Sequence, residues 1–308
     1  MYEGPPDLGE PRRLRQRRQV PSAVVRTVVG AVGRVLITVG LLILLFVAYQ
    51  LWGTAIWEAR AQSDLEDKFD RELARAEPEP TATTPRPTPV PPPAGDPIGV
   101  IRIDKIGVDK VVVEGTTVPD LRNGPGHYEG SPLPGQLGNA AIAGHRTTYG
   151  APFENLDQLA ERDRISIQTV TGTWEYELTR DPFVVSPSQV EVLDPVPEQA
   201  TLTLTTCNPK YSASERLVVQ AQLTGTRQAL PAPEAQPRLV LDTGLSGGSE
   251  SRAPVYLWGA IAAVVGGLWW LVFHRYPRWT TWVGGAIPFL VVLFVFYTYL
   301  ERVLPNNY

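Results

Sequence analysis

Three long apolar stretches set the first limits on how this chain can fold. Val35–Trp57 has Gln50 as its only strongly polar side chain. Val255–Phe273 and Trp279–Leu300 carry no charge at all. About 20 apolar residues cross a hydrocarbon core of roughly 30 Å, and each stretch is of that length. Helices of a soluble core rarely stay apolar on every face for so long. All three stretches therefore read as membrane spans. Trp52, Trp57, Trp279, Tyr297 and Tyr299 sit near their ends, where amphipathic rings favour the interface.

Charge orients these spans. The start of the chain holds Arg12, Arg13, Arg15, Arg17 and Arg18, and the short segment His274–Arg278 holds Arg275 and Arg278. Lys/Arg excess marks cytoplasmic segments. A basic cytoplasmic N-terminus (1–34) and a cytoplasmic loop (274–278) follow, with residues 58–254 and the tail 301–308 outside a multi-pass cell membrane protein. Ala59-Arg60-Ala61 resembles a signal-peptide cleavage site. The preceding apolar stretch exceeds the usual h-region of about 7–15 residues, so an uncleaved anchor is expected. The net charge of −4 gives no global basic field, which argues against nucleic acid as a partner.

Only the middle of the chain can fold as a soluble domain. Residues 58–76 are charged, with Leu65, Phe69 and Leu73 as one weak helical stripe. A solvated stalk is expected there, with an outward continuation of the membrane helix or a helix that packs on a partner as the other readings. Glu77–Pro97 is dense in proline and reads as an extended spacer that lifts the domain from the membrane. A second Pro-, Gly- and Ser-rich linker covers 227–254. Between them, residues 98–226 carry short, alternating, β-branched runs punctuated by Gly, Pro and Asn. The expected strands are 98–103, 108–114, 139–145, 164–170, 173–179, 182–186, 201–206 and 216–224. Helical turns are expected near 153–159 and 188–193. Eight strands in about 130 residues predict an all-β, closed or nearly closed barrel.

The single cysteine, Cys207, ends the run TLTLTTC, and Arg216 heads the run RLVVQAQL. One cysteine cannot close an internal disulfide, and a thiol beside a cation suits a thiolate nucleophile. Strand alternation puts Leu202, Leu204 and Thr206 on one face, and Thr201, Thr203, Thr205 and Cys207 on the other. The leucines claim the core, so Cys207 is expected on the polar side; a buried cysteine acting as a small hydrophobe is the plainer reading. Arg216 aligns with Val218 and Gln220, opposite Leu217 and Val219. Neighbouring strands would therefore put Arg216 and Cys207 on one face, where a guanidinium can hold a carbonyl or an oxyanion. An imidazolium stabilises a thiolate and later protonates a leaving amine. His274 falls on the cytoplasmic side. His145, at the end of AAIAGHR, is preferred over His127, in the turn-rich GPGHY. One Cys and two extracytoplasmic His residues show no metal-ligand spacing, so no metal is expected.

The blocks NAAIAGHRTTYGAPF (139–153) and TLTLTTCNPKYSASERLVVQAQL (201–223) resemble those of sortases, the cysteine transpeptidases of Gram-positive surfaces. The signature TLxTC followed by R-L-V/I-V is specific. GPGHY and the nine-residue step from Cys to Arg look most like the class E subfamily of actinobacteria. The resemblance implies an eight-stranded barrel, no cofactor, and a set of roles. Cys207 is the nucleophile, attacking between Thr and Gly of an LAxTG- or LPxTG-type sorting signal to form a thioester. His145 is the general acid/base, and Arg216 polarises the threonine carbonyl or the oxyanion. Thr206, Thr205, His127 and Tyr128 are placed with the substrate, although His127 and Tyr128 suit a structural turn equally. The implied partners are surface proteins bearing the signal and the amine of a lipid-linked peptidoglycan precursor. The C-terminal pair of spans departs from the single anchor of most sortases. A hydrolytic cysteine peptidase and a non-catalytic, membrane-tethered wall-binding β-domain are the rival readings.

Overall fold

A computed structural model describes residues 23–76, 89–196, 198–225, 228–231, 251–273 and 279–303. The arginine-rich N-terminus, most of the proline segment, most of the second linker, the loop with Arg275 and Arg278, and the end of the tail lie outside the described residues. The chain divides into two units, Met1–Phe46 and Val47–Tyr308. Most of helix α1 (Ala23–Ala48) belongs to the first, and its large apolar side chains are exposed.

The second unit holds nine strands: β1 (Pro97–Ile103), β2 (Val108–Glu114), β3 (Gly126–His127), β4 (Gly138–Ala143), β5 (Arg164–Thr169), β6 (Gly172–Leu178), β7 (Phe183–Val185), β8 (Ala200–Asn208) and β9 (Glu215–Thr224). They join in the order β6-β5-β1-β2-β3-β4-β8-β9, and β6 also pairs with β9. Eight strands thus close into a barrel, which leaves no continuous edge. β7 lies outside this ring, paired with Arg216–Val218 of β9. Eight strands are correct, with one exchange of membership. The expected 182–186 strand is the external β7, and the two-residue β3 completes the ring instead. β3 is too short to show a period of two, and it links β2 to β4 through Val113↔Gly126 and His127↔Ile142. The expected helical turns are short 3₁₀ segments, Leu156–Gln158 and Val190–Leu193.

Inward side chains such as Ile101, Ile142, Trp174, Leu204 and Val219 fill the barrel. Leu230 joins them: it is buried, its amide donates to the Gly135 carbonyl, and its carbonyl accepts from the Leu137 amide. The folded domain therefore extends past residue 226.

Helix α2 (Thr54–Arg75) follows a π turn at Tyr49–Gly53. It is not a solvated stalk, and the stripe of Leu65, Phe69 and Leu73 explains why. Phe69 is 2 % exposed and, with Leu65 and Leu73, covers Val100 of β1 and Val111 of β2 on the outside of the barrel. This second apolar layer accounts for the unbroken run Val111-Val112-Val113, since a strand covered on both faces does not alternate. The Gln62 amide group accepts from the Val111 amide at 2.8 Å and donates to the Val111 carbonyl at 3.1 Å. It replaces the strand partner that β2 lacks at that point. Glu58 pairs with Lys110 at 2.6 Å, and Lys68 pairs with Asp96.

Helices α4 (Ala253–Phe273) and α5 (Trp279–Val303) pack against each other. Trp258 stacks on Tyr299, and Phe296 and Phe289 lie against Gly259 and Gly266. The Tyr49 hydroxyl bonds the Glu301 carboxylate at 3.0 Å, and the Tyr49 ring meets Phe294 and Tyr297. Among the described residues, three helices are long and apolar enough to cross a membrane, one near the N-terminus and two near the C-terminus.

Candidate active site

Three adjacent strands bring the singled-out residues to one end of the barrel. β8 and β9 are antiparallel with Cys207 directly opposite Arg216, Thr206 opposite Leu217 and Thr205 opposite Val218. β4 runs parallel to β8 with Ala143 beside Thr205. Two residues further along each of these strands stand His145 and Cys207. The Gly144 amide donates to the Thr205 carbonyl at 3.1 Å, and the Thr206 hydroxyl donates to the Gly144 carbonyl at 2.7 Å. These two bonds prolong the β4–β8 contact to the residue before the histidine.

The alternation of β8 holds, and it carries an addition. Leu202 and Leu204 enter the core while Cys207 lies on the outer face, yet the cysteine is only 2 % exposed. A second apolar cluster, including Leu121, Tyr128 and Leu193, covers it. Leu121 ends the short helix α3 (Val118–Leu121), and Leu193 ends the 3₁₀ turn that precedes β8. Cys207 is thus both on the site face and enclosed among small and apolar groups.

A groove of about 390 Å³ opens beside this cluster. Tyr128, Thr205, Arg216 and Val218 form one side, and the segment 185–193 forms the other. Tyr128 and Thr205 are joined by a hydroxyl–hydroxyl bond of 3.0 Å. The Arg216 Nη1 donates to the carbonyls of Ala213 and Glu215, each at 3.1 Å, which fixes the guanidinium at the groove rim.

Two of the expected substrate contacts lie elsewhere. The Thr206 side chain turns to Gly144 rather than to the groove. His127 is fully buried, with Nδ1 at 2.7 Å from the Glu114 carboxylate and Nε2 at 2.8 Å from the Ser131 hydroxyl and 3.0 Å from the Pro132 carbonyl. Both ring nitrogens are committed within the fold, so His127 is a structural residue of the GPGHY turn and does not line the groove.

His145 is 4 % exposed. Burial, and after it the positive charge of Arg122, lowers its pKa from 6.5 to about 4. The ring is therefore neutral at pH 7, where the sequence led to an imidazolium. Its Nδ1 makes no hydrogen bond among the described residues. The Tyr149 ring packs on it, with centroids 5.3 Å apart and planes inclined at 32°. A neutral imidazole can take a thiol proton and return it to a leaving amine, so the pair keeps its acid–base capacity.

Arg122, Arg146 and Tyr149 are the site residues that the sequence did not reveal. Arg146 donates to the Cys207 carbonyl at 3.3 Å, bonds the Asn208 side chain, and pairs with Asp157 at 3.3 Å. It stands next to His145 within a block already singled out, but nothing in its spacing distinguishes a buried guanidinium from a surface one. Arg122 reaches the site from the turn after α3, with its guanidinium 5.9 Å from the Tyr149 ring centre.

Residues 101–224 match the family described as Sortase domain. Sortase SrtE1 of Streptomyces coelicolor is 32 % identical over 240 residues, covering 71 % of this chain and 63 % of that protein. Sortase SrtE2 of the same organism is 29 % identical over 225 residues, covering 68 % of this chain and 88 % of that protein. A solved structure of sortase E from Streptomyces avermitilis is 39 % identical and covers 44 % of this chain and 93 % of that one, with a TM-score of 0.41. The segment 101–224 is thus a sortase domain, and the chain is similar there to class E sortases.

Proposed function

We propose that this protein is a membrane-bound cysteine transpeptidase that cleaves an LAxTG- or LPxTG-type sorting signal between threonine and glycine. The carboxyl group of the threonine passes through a thioester on Cys207 to the amine of a lipid-linked cell-wall precursor. The observation that carries this reading is the opposition of Cys207 and Arg216 across β8 and β9, with His145 two residues beyond the end of the adjoining β4. Neutral His145 takes the thiol proton as sulfur attacks the threonine carbonyl. Arg216 holds the developing oxyanion at the groove rim, where a charged donor acts in a water-poor site. The imidazolium then gives its proton to the departing glycine amine. An incoming amine attacks the thioester and expels the thiolate, which recovers a proton. Tyr128 and Thr205, joined by their hydroxyls in the groove lining, contact the signal peptide. The N-terminus and the 274–278 loop face the cytoplasm, and the barrel faces the outside.

The test uses the full chain in detergent micelles with an LAxTG peptide, with and without oligoglycine, and mass spectrometry of the products. A ligated product that needs the amine and disappears in Cys207→Ala supports a transpeptidase. Cleavage indifferent to added amine shows a peptidase. Signal-peptide binding that Cys207→Ala leaves intact, without turnover in either protein, points to a binding domain.

A further inference from the structure

The loop after His145 is an unusual piece of backbone. Tyr149, Gly150 and Ala151 have φ of 50°, 70° and 43° in succession. Two of these three are not glycine, and non-glycine residues in the left-handed region persist only where their surroundings dictate them. The turn supplies one bond of its own, from the Ala151 amide to the Thr148 carbonyl. The Phe153 amide closes the loop on the His145 carbonyl at 3.1 Å, the Glu154 amide bonds the Ala151 carbonyl at 3.0 Å, and α2 adds a further restraint. The Tyr149 amide donates to the Thr54 hydroxyl at 3.1 Å, and that hydroxyl donates to the Gln50 carbonyl at 2.7 Å. Thr54 is 1 % exposed. Gly150 lies so close to α2 that a Cβ there would collide with the Glu58 carboxylate. Glu58 is itself fixed by Lys110.

What the loop holds is the Tyr149 ring, and that ring packs on His145. The imidazole Nδ1 has no hydrogen bond among the described residues to set the ring orientation. Packing by Tyr149 is then the restraint that an acid–base residue ordinarily draws from an acceptor at that nitrogen.

We propose that the juxtamembrane helix α2 is part of the catalytic apparatus: Thr54 and Glu58 fix the left-handed turn 149–151, and Tyr149 thereby positions His145. Thr54, Glu58 and Tyr149 are positioning residues for the transpeptidation proposed above, on which the kinetic part of this inference rests. Helix α2 and the chemistry are coupled through the Thr54 hydroxyl and the Glu58 carboxylate.

The full chain in lipid nanodiscs carries the test, with Thr54→Val, which keeps the shape and removes the hydroxyl, and Thr54→Ser, which keeps the hydroxyl. Two quantities are measured: kcat and KM for a soluble LAxTG peptide with oligoglycine, and amide hydrogen exchange of residues 148–151. Thr54→Val is expected to lower kcat about tenfold at unchanged KM, since small misplacements of a catalytic group are costly. It should also speed exchange at Tyr149 without speeding exchange in α2. Thr54→Ser should restore both. Wild-type kcat in Thr54→Val, or a loss in Thr54→Val that Thr54→Ser shares, overturns the proposal. If the wild-type chain fails to ligate, the transpeptidase reading falls. The exchange measurement then decides by itself whether α2 holds the loop, and unchanged exchange in Thr54→Val overturns that too.

Discussion

His145 shows how burial reshapes a residue whose type is plain from the sequence. Its pKa of about 4 in the fold lies below the ordinary 6.5, so the native state resists protonation while an unfolded chain accepts it. Stability from this source is complete above pH 6.5 and drains away as pH falls from 6.5 towards 4, by up to about 3 kcal/mol. As pH falls from 6.5 towards 4, the denaturant midpoint of the wild type should drop further than that of His145→Asn. An NMR titration of the imidazole should place its midpoint near 4. Arg216 invites a sharper kinetic test. Arg216→Lys keeps the charge but loses the planar fork, and is expected to lower kcat by about a hundredfold, as removal of an oxyanion donor does. The rate of acyl-enzyme formation in a single turnover, followed by mass spectrometry, checks it. Cys207, Arg216 and their shared face were readable because a strand alternates with a fixed period and the leucines declare the core. Arg122, Arg146 and Tyr149 were not, since their placement depends on loops that carry no period.

At the scale of elements, α2 is the largest departure from expectation. The stripe at 65, 69 and 73 was visible, but its weight against so many charges depended on a barrel face that only the fold supplies. Gln62 was invisible for the same reason: its value lies in an unpaired stretch of β2. Gln62→Ala leaves the buried Val111 amide and carbonyl without partners, at about 1–3 kcal/mol each. Phe69→Ala removes the side chain that seals Val100 and Val111, at about 3–5 kcal/mol. Both should lower the thermal midpoint of the full chain in micelles. Gln62→Ala should also expose Val111 to hydrogen exchange, whereas a surface substitution such as Glu66→Gln should do neither. The strand positions were legible almost throughout because each carries β-branched residues between turn formers. β3 escaped because two residues cannot display a pattern.

For the molecule as a whole, the described contacts change the meaning of the proline segment. Most of it lies outside the described residues, and it connects α2 and β1, which touch each other through Phe69 and Val100. The barrel is therefore packed against α2. The second linker starts later than the composition implied, since Leu230 is part of the core. Removal of the chain after Pro231 takes away the α4–α5 hairpin and spares the barrel. It is expected to slow attachment of surface proteins in cells while leaving cleavage of a soluble peptide within about twofold, because loss of a tether changes encounter and not chemistry. Equal losses in the two assays would show that the hairpin acts on the site itself. The π turn at Tyr49–Gly53 sits between two appointments: Tyr49 meets Glu301 of α5, and Thr54 meets the loop beside His145. A helix turns about 100° per residue. Loss or gain of one residue between these positions would swing one contact a quarter-turn or more away from its partner. This short tract is thus a phase lock, intolerant of any change in length.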